Sequence, residues 1–575
     1  MTNRENAVAR ADEIDKKIIE TVQSGRSFRV EAGAGAGKTY SLKKVIDWLE
    51  HEKKSQFKKY GHNVACITYT NTAVDVIAER LSPGSFIKPS TIHTFAWDLI
   101  KQFQSTLISF VQELQLLPRK TNDSAELIDI TEVKRVNYSL GVRYVENGTL
   151  FLFHDDVIKL FVKLLDNTKF RLIISKKFPI ILIDEYQDSF RVIMDQFLKF
   201  FIDAGVGPQF GLFGDSWQTI YASQGACGLV ESDNFVVINK EANFRSQEVI
   251  VNALNQIRPD LPQISASDDN DGKITIITTS EYDASRVQKG YYKGELEESV
   301  LYKCINDVIE KLEHKWTGET KKLMLTHKML AKQQGYADIL AFLNEHLKNK
   351  DDDHFLFFQN TVEPVFKALI SNDSKLLFET LGIARRPIES KQNKGQWNEL
   401  KDKLLKSRQE TVGDVLTTVM ESHLIGIPTK IEHWMEEGKK GDEGQLYHGK
   451  SIVEFYNLQY AEILKAIDFF KSDADYSTNH GVKGEQYDNV FFVLSRGWND
   501  YKFDEQLPLD FSKLSEDDKK VYIRNRNLFY VCCSRPKKNL TILITVPTNQ
   551  QFKKYLESVF GAENIISYSQ FMNMQ

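Results

Sequence analysis

Glu31-Ala-Gly-Ala-Gly-Ala-Gly-Lys-Thr-Tyr40 is the stretch on which the reading of the chain turns. A short β-like run, Phe28-Arg-Val30, precedes it, and Ser41-Leu-Lys-Lys-Val-Ile-Asp-Trp-Leu49 follows with apolar residues at helical spacing. Strand, glycine loop and helix in that order form the setting of a phosphate-binding loop. Gly33, Gly35 and Gly37 let the backbone come close to a polyphosphate, so that amide N–H groups point at its oxygens. The run Ala32, Gly33, Ala34, Gly35, Ala36, Gly37, Lys38, Thr39 is expected to cradle that polyphosphate. Lys38 would reach the β- and γ-phosphates and the Thr39 hydroxyl would bind Mg²⁺. Ala32 stands where the usual pattern opens with glycine. Alone, the stretch also fits a glycine turn before a surface helix; the downstream residues decide against that.

Phe178-Pro-Ile-Ile-Leu-Ile-Asp-Glu-Tyr-Gln-Asp188 reads as a fully buried strand that delivers Asp184 and Glu185 to the carboxyl edge of a sheet. Asp184 can hold Mg²⁺ through water, and Glu185 can orient and deprotonate the attacking water. Phe210-Gly-Leu-Phe-Gly-Asp-Ser-Trp-Gln-Thr-Ile-Tyr221 is a second strand ending in polar groups, with Gln218 placed to sense a γ-phosphate. Asn243-Phe-Arg-Ser246 opens a helix and offers Arg245 as a cation for the phosphoryl transition state. Arg535 ends a helix just before Pro536; it suits a cation reaching across a cleft, or one complementing the helix dipole. Two further strand ends, Thr70-Asn71-Thr72 after Asn63–Tyr69 and Ser90-Thr-Ile-His-Thr-Phe-Ala-Trp97, also place polar groups at a sheet edge.

Composition bounds the rest. A chain of 575 residues is too long for one core, so several domains are expected. The net charge of −5 gives no overall pull toward nucleic acid, so any basic groove must be local. Cys66, Cys227, Cys304, Cys532 and Cys533 form no metal spacing and read as reduced thiols of a cytoplasmic protein. The polar start Met1-Thr-Asn-Arg-Glu-Asn-Ala7 is no signal peptide, and no apolar run is long enough to span a bilayer. Residues 100–150 look helical and loop-like, either an insertion or a plain continuation. The basic residues around Trp397, among them Arg385, Arg386, Lys391 and Lys403, fit either nucleic acid or a solvated helical face.

Taken in order, these stretches resemble superfamily 1 helicases of the UvrD/Rep/PcrA type. The likeness runs through the phosphate loop, Thr68-Tyr-Thr-Asn71, Thr91-Ile-His-Thr-Phe95, Asp184-Glu-Tyr-Gln-Asp188, Gly214–Tyr221, Asn243–Ser246, His480-Gly-Val-Lys-Gly484 and Tyr530-Val-Cys-Cys-Ser-Arg535. The resemblance implies that Arg245 and Arg535 act as two arginine fingers, with Glu185 and Gln218 completing the catalytic set. It implies that Phe244 stacks on adenine and that Lys483 and Gly484 stand on the nucleotide side. Tyr69, Thr70, Asn71, His93, Phe95, Tyr221 and His480 would line a single-stranded DNA path. Three departures stand out. Asp15-Lys-Lys17 replaces the family's adenine-reading Gln, Ser223-Gln224 replaces a DNA-stacking aromatic and its Arg, and Gln486 replaces a ribose-contacting Glu. Reduced UvrD-like chains of this size resemble the helicase-like partners of OLD-family nucleases in Gabija-type phage defence.

The fold these resemblances imply is α/β, two tandem RecA-like P-loop NTPase domains with inserted helical subdomains. The first domain would take residues 1–99 and 151–262 with an insertion at 100–150, and the second 273–345 and 471–575 with an insertion at 346–470. The implied activity is that of an ATP- and Mg²⁺-dependent DNA helicase or translocase moving 3′-to-5′ on single-stranded DNA, in repair or phage defence. A DNA-end-sensing ATPase that licenses a partner nuclease with little unwinding stands beside it. An ATPase acting on RNA or protein fits Thr70, Asn71 and His93 less well. The sequence leaves open the physiological substrate, the polarity, the oligomeric state and the strictness for ATP.

Overall fold

A computed structural model of the chain describes residues 2–118, 127–139, 143–221, 225–290, 292–381, 391–470, 474–496 and 501–574. Six parallel strands form the first sheet, in the order Ile87–Thr91, Val64–Thr68, Ile180–Asp184, Gln209–Gly214, Phe28–Ala32, Val236–Lys240. Every residue of Phe28–Ala32, Val64–Thr68 and Ile180–Asp184 is buried, as expected for strands covered on both faces. Alternate residues serve the two faces: Leu182 packs with Phe28, Val30 and Phe213, whereas Ile181 and Ile183 pack with Phe95, Phe161 and Phe210. The register sets Asp184 beside Phe213 and Glu31 beside Gly214, so the chemistry-bearing ends of these strands lie along one edge.

The segment 100–150 differs from the helical insertion expected of it. Helix Gln104–Glu113 is followed by a small sheet in which Thr149–Leu152 pairs with Arg135–Tyr138 in parallel and with Tyr144–Glu146 antiparallel. Val136, Leu150 and Leu152 alternate with polar or half-exposed neighbours and join the core that holds Phe95 and Phe161. A period-two pattern only three or four residues long is easily missed beside a helical one.

By compactness the chain divides into Met1–Thr320 with Val482–Gln575, and Lys321–Gly481. The first unit also holds a second parallel sheet, running Tyr487–Leu494, Pro536–Ile544, Lys273–Thr278, Ile565–Ser567. Two parallel sheets of this kind, the first led by a phosphate loop, make the mixed α/β architecture of tandem RecA-like domains. The second unit is mostly helical. Its core already takes Tyr336, Ile339 and Leu343, so the helical body starts before residue 346. Within it Glu363, buried, accepts from Arg408 through both carboxylate oxygens at 3.2 and 2.9 Å and from the Tyr460 hydroxyl at 3.0 Å. Trp397 packs against this core and Lys403 pairs with Glu421 at 2.7 Å, while Arg385 and Arg386 lie outside the described residues. All five cysteines are buried, and each belongs to the first unit. Among the described residues no helix is long and apolar enough to cross a membrane.

The packing between the sheet and its neighbours has no slack at Gly211. A Cβ there would come within 2.5 Å of Phe28 Cζ and 2.8 Å of Leu182 Cδ2. Gly211→Ala is expected to destabilise the first unit by about 1–3 kcal/mol, the usual cost of overfilling a close-packed core. Urea unfolding would show this as a lower midpoint with an unchanged slope.

Candidate functional site

The phosphate loop is shaped by two left-handed glycines. Gly35 and Gly37 both have φ of +74°, and Gly37 leads directly into helix Lys38–Glu52. A Cβ on Gly35 would lie 2.7 Å from Arg245 Cβ and from Asn243 Oδ1. The loop is held from outside as well: the Ala34 carbonyl accepts from Asn243 Nδ2 at 3.0 Å and Gln263 Nε2 at 3.1 Å, and the Ala34 N–H donates to the Tyr530 hydroxyl at 3.0 Å. A cavity of about 250 Å³ opens in front of the loop. Glu185 and Gln218 close one side, Gly484, Gln486 and Arg535 the other, and Phe244, nearly half exposed, lies at its border with Arg245.

Lys38 Nζ stands 3.7 Å from Glu185 Oε1. Burial, then the charge of Glu185, pushes the Asp184 carboxyl up to about 7, while the Thr39 hydroxyl bonds to it. Burial also opposes charge on Glu185, but Lys38 and Lys483 outweigh it and lower its pKa. Glu185 has φ of +48°, a left-handed conformation that costs a non-glycine residue on the order of 1 kcal/mol. Gln187 Nε2 steadies its carboxylate at 2.6 Å. A lysine, a threonine hydroxyl and two carboxylates meeting in front of a ring of backbone amides fit a Mg²⁺-bound nucleoside triphosphate. The metal would be held through Thr39 and Asp184 and would supply Lewis-acid stabilisation of phosphate charge.

Behind the cavity lies a buried ionic hub absent from the sequence reading. Arg258 donates to Asp215 at 2.5 Å and to Glu31 at 2.9 Å. Glu31 also accepts from Ser216 N and Oγ at 2.8 and 2.7 Å and from the Tyr186 hydroxyl at 2.8 Å, and Asp215 accepts from Gln218 Nε2 at 2.7 Å. The only signals in the sequence were two charges, Arg29 and Glu31, inside an otherwise apolar strand. Helix Glu516–Cys533 grips the same turn from the second sheet. Arg526 lies 3.6 Å over the Trp217 ring and Asn527 Nδ2 donates to the Thr219 carbonyl at 3.1 Å. Tyr530 packs edge-on to Trp217.

Both candidate finger arginines reach this cleft. Arg535 donates through Nε to the helix-end carbonyl of Val531 at 2.9 Å and through a terminal nitrogen to Gln218 Oε1 at 3.2 Å. It therefore closes its helix and reaches across the cleft at once. Arg245 donates to the Ser534 carbonyl at 2.9 Å, and burial together with the charge of Arg535 lowers its pKa to about 9. Asp15, at the place of the adenine-reading Gln, is buried against Lys240 at 3.1 Å and Lys44 at 3.0 Å.

The remaining expected residues divide. Tyr69, half exposed, stacks on Tyr221 with ring centroids 6.2 Å apart and planes within 12°. Thr70 caps helix Asn71–Ala78, accepting from Ala73 N, and Asn71 is exposed at its start. His93 stacks on His154 at 3.6 Å, and burial with that neighbour takes its pKa down to about 4. Phe95 does not line a groove: it is 4% exposed and packs on Phe161 and Phe178, because two residues along the helix from His93 the side chain faces the core. Lys483 is not among the residues lining the cavity, though its charge acts on Glu185 there. It pairs with Asp188, donates to the Gln218 carbonyl at 2.6 Å and lies over the Tyr221 ring, next to Gly484, which borders the cavity. His480 belongs to the second unit, half-buried, with its pKa lowered by burial and His327. Ser223 and Gln224 lie outside the described residues.

Removing one partner from the hub exposes what it holds. Arg258→Met would leave Asp215 buried without its cation and Glu31 with only Arg29, 3.8 Å away, a loss of about 3–5 kcal/mol for a broken buried pair. Thermal unfolding should report the loss, and refolded Arg258→Met protein should bind nucleotide weakly because the Gln218 turn is no longer anchored.

A family model described as an AAA domain matches residues 15–224. The chain is 24% identical to the Gabija protein GajB of Bacillus cereus strain HuB5-5, across 95% of this chain and 96% of that protein. It is 22% identical to DNA helicase II of Rickettsia typhi over 89% and 88% of the two chains. Its identity to the ATP-dependent DNA helicase Rep of Buchnera aphidicola is 25%, over 39% of this chain and 42% of that one. The resemblance carried by the eight motifs therefore extends along almost the whole chain, which is similar to UvrD-like DNA helicases and to a Gabija protein.

Proposed function

We propose that the chain is an ATP-dependent motor that translocates on single-stranded DNA, 3′-to-5′, in a Gabija-type defence system. The observation that carries this reading is the convergence of Lys38, Glu185, Gln218, Arg245 and Arg535 around one cavity, drawn from loops on both parallel sheets. Groups from two sheets can meet one γ-phosphate only when the cleft is closed, which is how hydrolysis becomes movement. Glu185 activates water, Gln218 sits between Asp215 and Arg535, and the two guanidinium groups stabilise charge that develops as the phosphoryl group leaves. The Tyr69–Tyr221 pair supplies a base-stacking platform beside the same turn.

Similarity to a Gabija protein over nearly the full length supports defence rather than general repair. An OLD-family nuclease as partner and DNA ends as the working substrate complete the proposal. The regulatory reading, in which ATP turnover licenses that nuclease with little unwinding, is favoured by one feature. The described residues of the 100–150 segment share the first domain's core, and among them little free-standing surface is left for gripping a duplex. Forked-duplex unwinding with and without the nuclease separates the two.

Glu185→Gln is expected to bind ATP normally and to lose turnover, because the carboxylate acts on water and not on the nucleotide. Nucleotide-binding fluorescence alongside phosphate release checks this. Arg535→Ala should lower turnover by a factor on the order of 10³ or more, within the range of trans-supplied arginine fingers. The Arg245→Ala, Arg535→Ala double variant should be little worse than either single one, since closure needs both. Stimulation of hydrolysis by oligothymidylate should fade steeply as salt rises, because backbone contacts release counterions.

A further inference from the structure

The edge of the first sheet away from the nucleotide cleft is built from three neighbouring segments. Asn63, Lys177 and Gly207 stand just before the strands Val64–Thr68, Ile180–Asp184 and Gln209–Gly214, at the ends opposite those that lead to Tyr69, Glu185 and Asp215. The five residues of Val64–Thr68 put the two edges about 17 Å apart. Helix Thr168–Lys177 turns Phe170 and Ile174 into the core and leaves Lys169, Leu172, Ile173 and Lys176 outside. The Asn63 N–H donates to the Lys177 carbonyl at 2.8 Å, which joins this helix to the end of helix Lys54–Tyr60. A Cβ on Gly207 would lie 2.9 Å from Ser175 Oγ, so the turn that carries Val206 lies against the same helix.

Two features mark this surface. It is apolar where water reaches it: Leu172 is 56% exposed, Val206 60% and Tyr60 59%. It is also basic without compensation. Helix Thr168–Lys177 contains four cations and no acid, and helix Lys54–Tyr60 three lysines and no acid. Among the described residues Lys58, Lys59, Lys169, Lys176 and Lys177 meet no carboxylate, although the chain has a net charge of −5 and the nearby Lys159 and Lys163 are both paired. Cations in the last turn of each helix suit the helix dipole, but Lys169 lies in a first turn, where a cation is unfavourable. The framework is fixed. Phe57, 5% exposed, packs on Phe86 at 4.9 Å and anchors the short helix that carries Lys58 and Lys59, and Tyr60 stacks on His62 at 5.6 Å.

We propose that this edge docks a protein partner through an acidic amphipathic helix, whose apolar stripe covers Leu172 and Val206 and whose carboxylates meet the lysines around them. Nucleic acid satisfies only half of the surface: a phosphate backbone would pair with the lysines and leave Leu172 and Val206 in water. An exposed apolar centre inside a charged rim is the make-up of a protein–protein interface. The uncompensated positive charge turns basic surfaces away and steers acidic ones in. None of these residues lines the nucleotide cavity, so a partner seated here rides on the first sheet while the cleft stays free to open and close. The docking surface stands whether or not the chain moves along DNA.

Fluorescence anisotropy of labelled synthetic helices tests this on the full-length protein. One peptide carries leucines at i, i+3, i+4 and i+7 flanked by glutamates, a second has lysines in place of the glutamates, and a random-sequence DNA duplex is the third probe. The glutamate peptide should bind, more weakly as salt rises, and the lysine peptide should not. Leu172→Asp should weaken binding of the glutamate peptide about tenfold or more, the scale of a central anchor, and the Lys176→Glu, Lys177→Glu double variant should do the same. Both variants should hydrolyse ATP at the unaltered rate and melt at the unaltered temperature. No binding of the glutamate peptide, equal binding of the two peptides, or binding indifferent to both variants would overturn the docking surface. Duplex binding lost in the lysine variant and kept in Leu172→Asp would make the edge a nucleic-acid surface and overturn it as well.

Discussion

Arg258 sits at the centre of the first unit with Asp215 on one side and Glu31 on the other, almost wholly out of contact with water. A guanidinium in such a place is tolerated only because two carboxylates and their hydrogen bonds surround it. Each carboxylate in turn fixes a different piece of machinery. Glu31 is the residue before the phosphate loop and bonds to Ser216; Asp215 holds Gln218. Tyr530, whose hydroxyl receives the Ala34 N–H, lies with its ring against the same guanidinium. The glycine loop, the Gln218 turn and the helix Glu516–Cys533 are thus tied to one cation.

Lys483 does for the other side of the turn what Arg258 does for the inner one. Its ammonium joins Asp188 at the end of the acidic strand, the Gln218 backbone and the face of Tyr221. Movement of any of the three changes the partners of the other two. On the proposed reading, communication between the Tyr221 ring and the Gln218 turn needs no long chain of residues, since one side chain touches both.

What the sequence discloses and what it hides follow from the kind of interaction involved. The phosphate loop, Asp184 and Glu185 are legible because local spacing alone dictates their chemistry: glycines for positive φ, a buried run to carry acids to a sheet edge. The Arg245 and Arg535 pair is legible only through the order of the motifs, since residues 290 positions apart meet solely in the fold. The Arg258 hub is marked in the sequence only by the charges Arg29 and Glu31 in an apolar strand, because a buried charge looks like a surface one until its partners are known. Phe95 and His93 belong to one motif, yet they part company within a helical turn, one into the core and the other to a cavity wall. The small sheet inside 100–150 is hidden by strands too short for their alternation to stand out.

The placing of the cysteines has a practical side. Cys66 lies in an interior strand of the first sheet, Cys304 on the buried face of the helix Glu298–Lys315, and Cys532 and Cys533 in the helix that grips the Gln218 turn. Burial raises each of these thiols and keeps it from solvent, so none reacts while the fold holds. The helical unit Lys321–Gly481 contains no cysteine at all. The rate at which a thiol reagent modifies the intact chain is therefore an unfolding clock for the nucleotide-binding unit alone, blind to any opening of the helical one.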